Sequence, residues 1–420
     1  MDISQTQIIN VSDLRIGHYV YLDLGWMQHP FPLNHFKIQS QAQINTIRTL
    51  GLAQVRYAPD YSDEKIIATP ISSSDITQPI PTLEELRIKQ HQSILRAQRN
   101  QLLESDRRFN DAVLIYQKIT QNIDKDAGLA LQNAEKLIND MITDFLSHDD
   151  IAIRLLSENN AEQNTLHSLN VTILSMLLAK TSGLSMPQIA EVGIAGLLHD
   201  IGKIMLPYRV RSFNEQMTGA EKNLYESHVL LGVNIAKKMG CNSLIQLMIA
   251  QHHERDDGSG FPARLMDMSI PIPSQIVGLI NAYDNLCNPA NPSLAITPHE
   301  AISIVFAKMR NQFNQDTISR FVRMMGVYPP GSTVQLTDNR YAIVISVNSA
   351  RPLKPNIIVY DRNIPVDDAL ILDLTTHPEL NIQRSIKPIE LPKAVYDYLS
   401  PRKRACYFFE RGQIITSTAS

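Results

Sequence analysis

The chain has 420 residues, 44% of them hydrophobic and 19% charged, which is the balance of a globular protein with room for two or three domains. A net charge of −3 excludes a generic electrostatic nucleic-acid binder, although a compact anionic ligand held by metals and a few cations remains compatible with it. The three cysteines, Cys241, Cys287 and Cys406, are odd in number, far apart and without CxxC or zinc-ribbon spacing, so they read as reduced cytosolic thiols or core residues.

The N-terminal stretch lacks a basic region followed by an apolar run, so no secretion signal is expected. The longest apolar runs, 171–179 and 189–198, are too short and too interrupted to span a bilayer, and a cytoplasmic protein without a membrane span is expected. Residues 1–75 read as a small α+β domain, with β-rich runs at 9–11, 18–22 and 55–57 and a helix over 41–50 that places Ile44, Ile47 and Leu50 on one face. Trp26, His29 and Phe31 form either a ligand pocket or a small aromatic core, the second being the more ordinary use.

Residues 76–149 read as linker and helical connector. The linker at 70–82 holds Pro70, Pro79 and Pro81, and Thr82 with Glu85 predicts a helix start. The polar helix that follows, to about residue 110, is either an interdomain coiled coil or a solvated helix packed on one side. From 111 to 323 the pattern is helix after helix with no strand alternation, clearest where Ala134, Leu137, Ile138, Met141, Ile142 and Phe145 share a face. Residues 326–420 read as a small β-rich appendage and tail. Its predicted strands are 333–336, 341–347 and 356–360, its hairpin turn is at Thr337-Asp338-Asn339, and its helix is at 394–399. The basic run Arg402-Lys403-Arg404 reads as solvated surface and 417–420 as frayed.

Five of the twelve histidines fall between His167 and His253, interleaved with apolar helical sequence, which is how a metal site is built inside a helical bundle. His199-Asp200 and His252-His253 are adjacent pairs. Adjacent residues on a helix diverge by about 100°, so both members reach one site only where the helix ends beside it. A mixed His/Asp set without thiolate suits Fe, Mn or similar ions and disfavours structural zinc. Asp200 is the type of carboxylate that bridges two metals in hydrolases. Lys203 sets an ammonium beside the metals, and Asp257 is a candidate for proton transfer or ligand orientation, or else shapes a loop with Gly258, Ser259 and Gly260.

These residues carry a resemblance. His199-Asp200-Ile201-Gly202-Lys203, with His252-His253-Glu254 and Asp257-Gly258-Ser259-Gly260-Phe261-Pro262, resembles the signature of HD-GYP proteins, a branch of the HD phosphohydrolase superfamily. The resemblance covers 150–325 and implies an all-helical HD-type bundle, so that the chain as a whole is mainly α. It implies a two- or three-metal centre, often iron, and hydrolysis of the bacterial messenger cyclic di-GMP to pGpG or GMP. Carried over residue by residue, it makes His167, His199, Asp200, His228, His252 and His253 metal ligands, with Asn281 at the position of the last one. Lys203, Gly258, Gly260 and Phe261 are the expected substrate contacts. The N-terminal Val11-Ser12-Asp13-Leu14-Arg15-Ile16-Gly17 resembles the small domain often fused ahead of HD-GYP domains.

The chain departs from the family at four places. Asn281 stands where the family has a ligating aspartate, with Asp284 one helical turn on as a possible substitute. The run Cys287-Asn288-Pro289-Ala290-Asn291-Pro292-Ser293 lacks the family's phosphate-contacting arginine and lysine. Phe261 replaces a tyrosine, and Gln163 stands where members with a third metal have glutamate, so two metals are expected. The leading expectation is a cyclic di-GMP phosphodiesterase. The alternatives are a weak or inactive domain that senses cyclic di-GMP or docks a protein, and a phosphohydrolase for another nucleotide. A diguanylate cyclase or receiver partner would act in trans, and a homodimer is compatible with the sequence.

Overall fold

The computed structural model describes residues 6–24, 31, 33–63, 83–146, 151–157, 159, 161–266, 269–348 and 350–411. Trp26 and His29 of the pocket-or-core cluster, the linker at 70–82 with its Thr82 cap, the side chains of Glu85 and Phe145, and the tail at 417–420 lie outside what is described. The chain forms two compact units, Met1–Pro81 and Thr82–Ser420.

In the first unit, β1 (Gln7–Asn10), β2 (Tyr19–Tyr21), β3 (His35–Lys37) and β4 (Gln54–Tyr57) make an antiparallel sheet of order β1-β4-β2-β3. Helix α1 (Gln41–Thr49) starts at a capping box: Gln43 N donates to Ser40 Oγ at 3.4 Å and Ser40 N to Gln43 Oε1 at 3.2 Å. Its Ile44 and Ile47 join Val20, Leu22, Ile38 and Val55 in the core of this unit. Strand β3 had no sequence signal of its own, being three residues long.

The second unit begins with α2 (Leu83–Asn122) and α3 (Ala127–Leu146), which pack on each other. Helix α2 runs past the expected end near 110. It is a helix packed on one side: Gln98 Nε2 donates to Ile371 O at 3.0 Å, Ile371 N donates back to Gln98 Oε1 at 2.9 Å, and Phe109, Val113, Tyr116 and Ile119 are buried.

The expectation of uninterrupted helix from 111 to 323 is corrected at β5 (Ile151–Leu155). Every residue of this strand is buried, so no polar alternation could announce it. Helix α4 (Gln163–Thr181) follows, buried from Thr165 to Ala179, and α5 (Met186–Leu198) packs against it. Next come α6 (Gly219–Glu226), α7 (His228–Met239), α8 (Ser243–Gln251) and α9 (Ile272–Cys287). Helices α10 (Pro298–Lys308) and α11 (Gln315–Met325) complete the bundle.

Strands β6 (Thr333–Leu336), β7 (Tyr341–Asn348) and β8 (Asn356–Val359) fall where the sequence predicts them. The predicted turn between β6 and β7 has Asn339 at φ +69°, a left-handed position that asparagine tolerates. With β9 (Ile371–Asp373), β10 (Ile382–Ser385) and, after helix α12 (Lys393–Leu399), β11 (Tyr407–Arg411), they form one antiparallel sheet that also contains β5. Strand β11 pairs with β5 in the register Tyr407↔Leu155 and Phe409↔Ile153. The end of the chain is thereby returned to the segment that leads into α4. Among the described residues no helix is long and apolar enough to cross a membrane.

Candidate metal centre

Three histidines are set by one local device. His199 and His252 are the residues at which α5 and α8 end, and His228 opens α7 directly after α6. Each Nδ1 meets a carbonyl three residues earlier: His199 with Gly196 O at 2.7 Å, His228 with Tyr225 O at 2.5 Å and His252 with Ile249 O at 2.7 Å. Carbonyls in the last turn of a helix lack intrahelical donors, so they accept these Nδ1–H groups. The tautomer is thereby fixed, and each Nε2 lone pair faces inward.

His167, on α4, is fixed differently, its Nδ1 lying 2.6 Å from Asp284 Oδ2. The other oxygen of that carboxylate accepts from Asn170 Nδ2 and Asn288 Nδ2, both at 2.8 Å. Asp284 therefore orients an imidazole and does not replace the ligand at Asn281, which corrects the substitution considered for it.

The inward atoms fall into two overlapping groups that share Asp200. One comprises Asp200, His228, His252 and His253, the other His167, His199 and Asp200. Asp200 Oδ2 lies 3.3 Å from His199 Nε2 and 3.6 Å from His167 Nε2, while Oδ1 lies 3.3 Å from His228 Nε2 and 3.7 Å from His252 Nε2. Asn281 Oδ1 is 3.1 Å from His167 Nε2 and accepts from Asn285 Nδ2 at 2.7 Å. The amide therefore borders the second group.

The arrangement fits a divalent metal on three observations. His167 and His199 bring their Nε2 atoms to 3.2 Å, and His228 and His252 bring theirs to 3.5 Å, although the Nδ1 hydrogens are already committed. Lone pairs at that separation need a cation between them. Asp200 Oδ1 and His253 Nε2 are buried without a hydrogen-bond partner. Three of the imidazoles are also held towards the neutral form, the one that binds metal. Burial lowers His199, takes His252 down to about 3 and holds His253 well below the ordinary histidine value.

Burial alone would raise the Asp200 carboxyl, but Lys203, His199 and His228 outweigh it and hold Asp200 well below the usual range. Lys203 Nζ donates to Asp200 Oδ2 at 2.6 Å and sits 5.3 Å over the Tyr225 ring, a neighbour that no sequence motif identified. Gly202 is required by contact: a Cβ there would meet His228 O at 2.0 Å and Gly232 N at 2.5 Å.

The loop after His253 is held by Glu254, whose carboxylate accepts from Ala263 N at 2.6 Å and Leu265 N at 2.8 Å. Phe261 stacks on His253 with centroids 4.3 Å apart. Gly258 and Gly260, expected as substrate contacts, also answer backbone needs. Gly258 has φ +73°, and a Cβ on Gly260 would lie 2.5 Å from Arg255 N. Asp257, expected in catalysis, is exposed, and its Oδ1 accepts from Ser259 N at 3.0 Å and Ser259 Oγ at 2.5 Å. It closes a turn and lies outside both ligand groups. The three cysteines are buried and free, in keeping with core thiols.

Fold and site together define a helical domain that gathers histidines around one shared carboxylate. Comparison with known families gives it a name. The family described as "HD domain" matches residues 150–317. A domain of unknown function matches 6–152, and a "KOW domain associated with HD domain" matches 333–394. Cyclic di-GMP phosphodiesterase PA4108 of Pseudomonas aeruginosa is 26% identical over 366 residues, covering 84% of this chain and 84% of that protein. A cyclic di-GMP phosphodiesterase of Thermotoga maritima is 28% identical over 53% of this chain and 58% of that protein. A solved structure described as Bd1817, an HDG"Y"P protein from Bdellovibrio bacteriovorus, has a TM-score of 0.43 and 16% identity, over 76% of this chain and 98% of that one. Residues 150–317 thus match the HD domain family, and the relatives named above are cyclic di-GMP phosphodiesterases.

Proposed function

We propose that the chain is a metal-dependent phosphodiesterase that hydrolyses cyclic di-GMP to pGpG or GMP. The observation that supports this best is the division of Asp200, one oxygen facing His167 and His199, the other His228 and His252. Two divalent ions, iron or manganese, would supply Lewis acidity there, activating water and neutralising charge on the phosphoryl oxygens. His228, His252, His253 and Asp200 would hold one ion, and His167, His199, Asp200 and Asn281 the other. Lys203 keeps Asp200 ionised and presents an ammonium to phosphoryl oxygens at the same centre. Cyclic di-GMP as substrate comes from the names of the relatives. A cytoplasmic setting, a cyclase or receiver partner in trans and a homodimer belong to the same reading.

Asn281 favours a second reading, a cyclic di-GMP sensor. Its amide oxygen is neutral, so the His167 group has only the shared carboxylate to offset a dication. The two readings separate in one experiment. Protein reconstituted anaerobically with Fe(II) or Mn(II) should convert cyclic di-GMP to linear product, and the H199A/D200A variant should not. Binding of cyclic di-GMP without turnover under either metal would sink the enzyme reading in favour of the sensor.

A further inference from the structure

The tail segment before β11 is bonded to residues that stand behind the metal centre. Ala405 N donates to Asn288 Oδ1 at 2.9 Å, and Ala405 O accepts from Asn288 Nδ2 and Asn170 Nδ2, both at 2.9 Å. Asn170 and Asn288 are the residues that hold Asp284, and Asp284 holds His167. Position 405 is thus tied to a metal-facing imidazole through two side-chain layers.

The basic run expected to be solvated surface divides accordingly. Arg402 Nε donates to Leu156 O at 3.3 Å, Lys403 is exposed, and Arg404 is half-buried with Nη2 donating to Gln163 Oε1 at 3.2 Å. Gln163 stands four residues before His167 on α4, on the same helical face, where side chains are neighbours. Its Nε2 donates to Asn288 O at 3.1 Å, at the start of the loop after α9 that carries no cation. Arg404 is thereby bonded to a side chain one helical turn from a metal-facing histidine. Its recorded partner is a neutral amide, and among the described residues it makes no ion pair with a carboxylate. Among the described residues, Lys203 is bound to Asp200, Arg255 to the His252 and Glu254 carbonyls, and Arg211 to the Ile204 and Leu206 carbonyls.

We propose that Arg404, delivered by the C-terminal segment, is a phosphate-binding residue for the second, non-scissile phosphate of a cyclic dinucleotide, doing the work of the cations absent from the 287–293 loop. A guanidinium has five N–H donors in a planar fork that matches phosphate, so one bond to Gln163 leaves most of them available. This rests on the phosphodiesterase reading above.

The test compares wild type, Arg404→Ala and Arg404→Lys on cyclic di-GMP and on bis(p-nitrophenyl) phosphate, which has only a scissile phosphate. Losing a charged hydrogen bond raises KM for cyclic di-GMP about 10- to 100-fold in Arg404→Ala, with kcat, bound metal and the small diester nearly unchanged and partial recovery in Arg404→Lys. Equal losses on both substrates overturn the proposal, because Arg404 then acts through the metal centre. No loss on either also overturns it. Wild type that cleaves the small diester but not cyclic di-GMP overturns the substrate reading and the proposal with it.

Discussion

An imidazole whose Nδ1 hydrogen is already given to a carbonyl has only a lone pair at Nε2. Two such lone pairs 3.2 Å apart, in a site where Asp200 Oδ1 also lacks a donor, describe a place for cations. The donor sets are unequal. His228, His252, His253 and Asp200 stand against His167, His199, the same Asp200 and the neutral Asn281. Replacing Asn281 by Asp should therefore raise metal affinity in the His167 group, read by metal titration, and should raise turnover if that group limits it. Asp284→Asn should lower affinity in the same group about 10- to 100-fold with unchanged circular dichroism, since a carboxylate behind a ligating histidine raises its basicity and fixes its ring. Gly202→Ala should cost about 3 kcal/mol or more in urea unfolding, because its Cβ would collide with the backbone of α7 at His228 and Gly232.

At the scale of elements, what was legible followed from local pattern. Adjacent pairs such as His199-Asp200 and His252-His253 signal helices that end at the site, and α5 and α8 end there. Strands β6 to β8 were readable from β-rich runs and turn residues. Strand β5 was not, because burial on both faces removes the alternation by which a strand is recognised. The contacts of Ala405 were not readable either, as Asn288 and Asn170 lie 117 and 235 positions away and no local pattern links them. Gly258, Gly260 and Asp257, adjacent to ligands in the motif, also serve the turn that presents them. Deleting the chain after Ser400 should unpair β5 from β11 and remove the peptide that Asn170 and Asn288 hold. The expected outcome is a lower melting temperature together with weaker metal binding in the His167 group, measured by circular dichroism and metal titration.

At the scale of the whole molecule, the two units have separate core clusters, Val20, Ile44 and Ile47 among those of the first and Phe109, Leu169 and Ile280 among those of the second. Residues 82–420 expressed alone should fold with native-like helix content and bind metal as the full chain does. Helical periodicity made the predominance of helix legible, whereas the return of the C-terminal strand to β5 is a long-range pairing that only the folded chain displays. The central claim, two overlapping metal sites joined by Asp200, is tested most directly by metal titration of the apoprotein under anaerobic conditions. The account predicts two ions per chain of unequal affinity, loss of both in Asp200→Ala and about 10- to 100-fold weaker binding of only the weaker one in Asp284→Asn. A wild type that binds no ion, or ions that Asp200→Ala leaves in place, would contradict it.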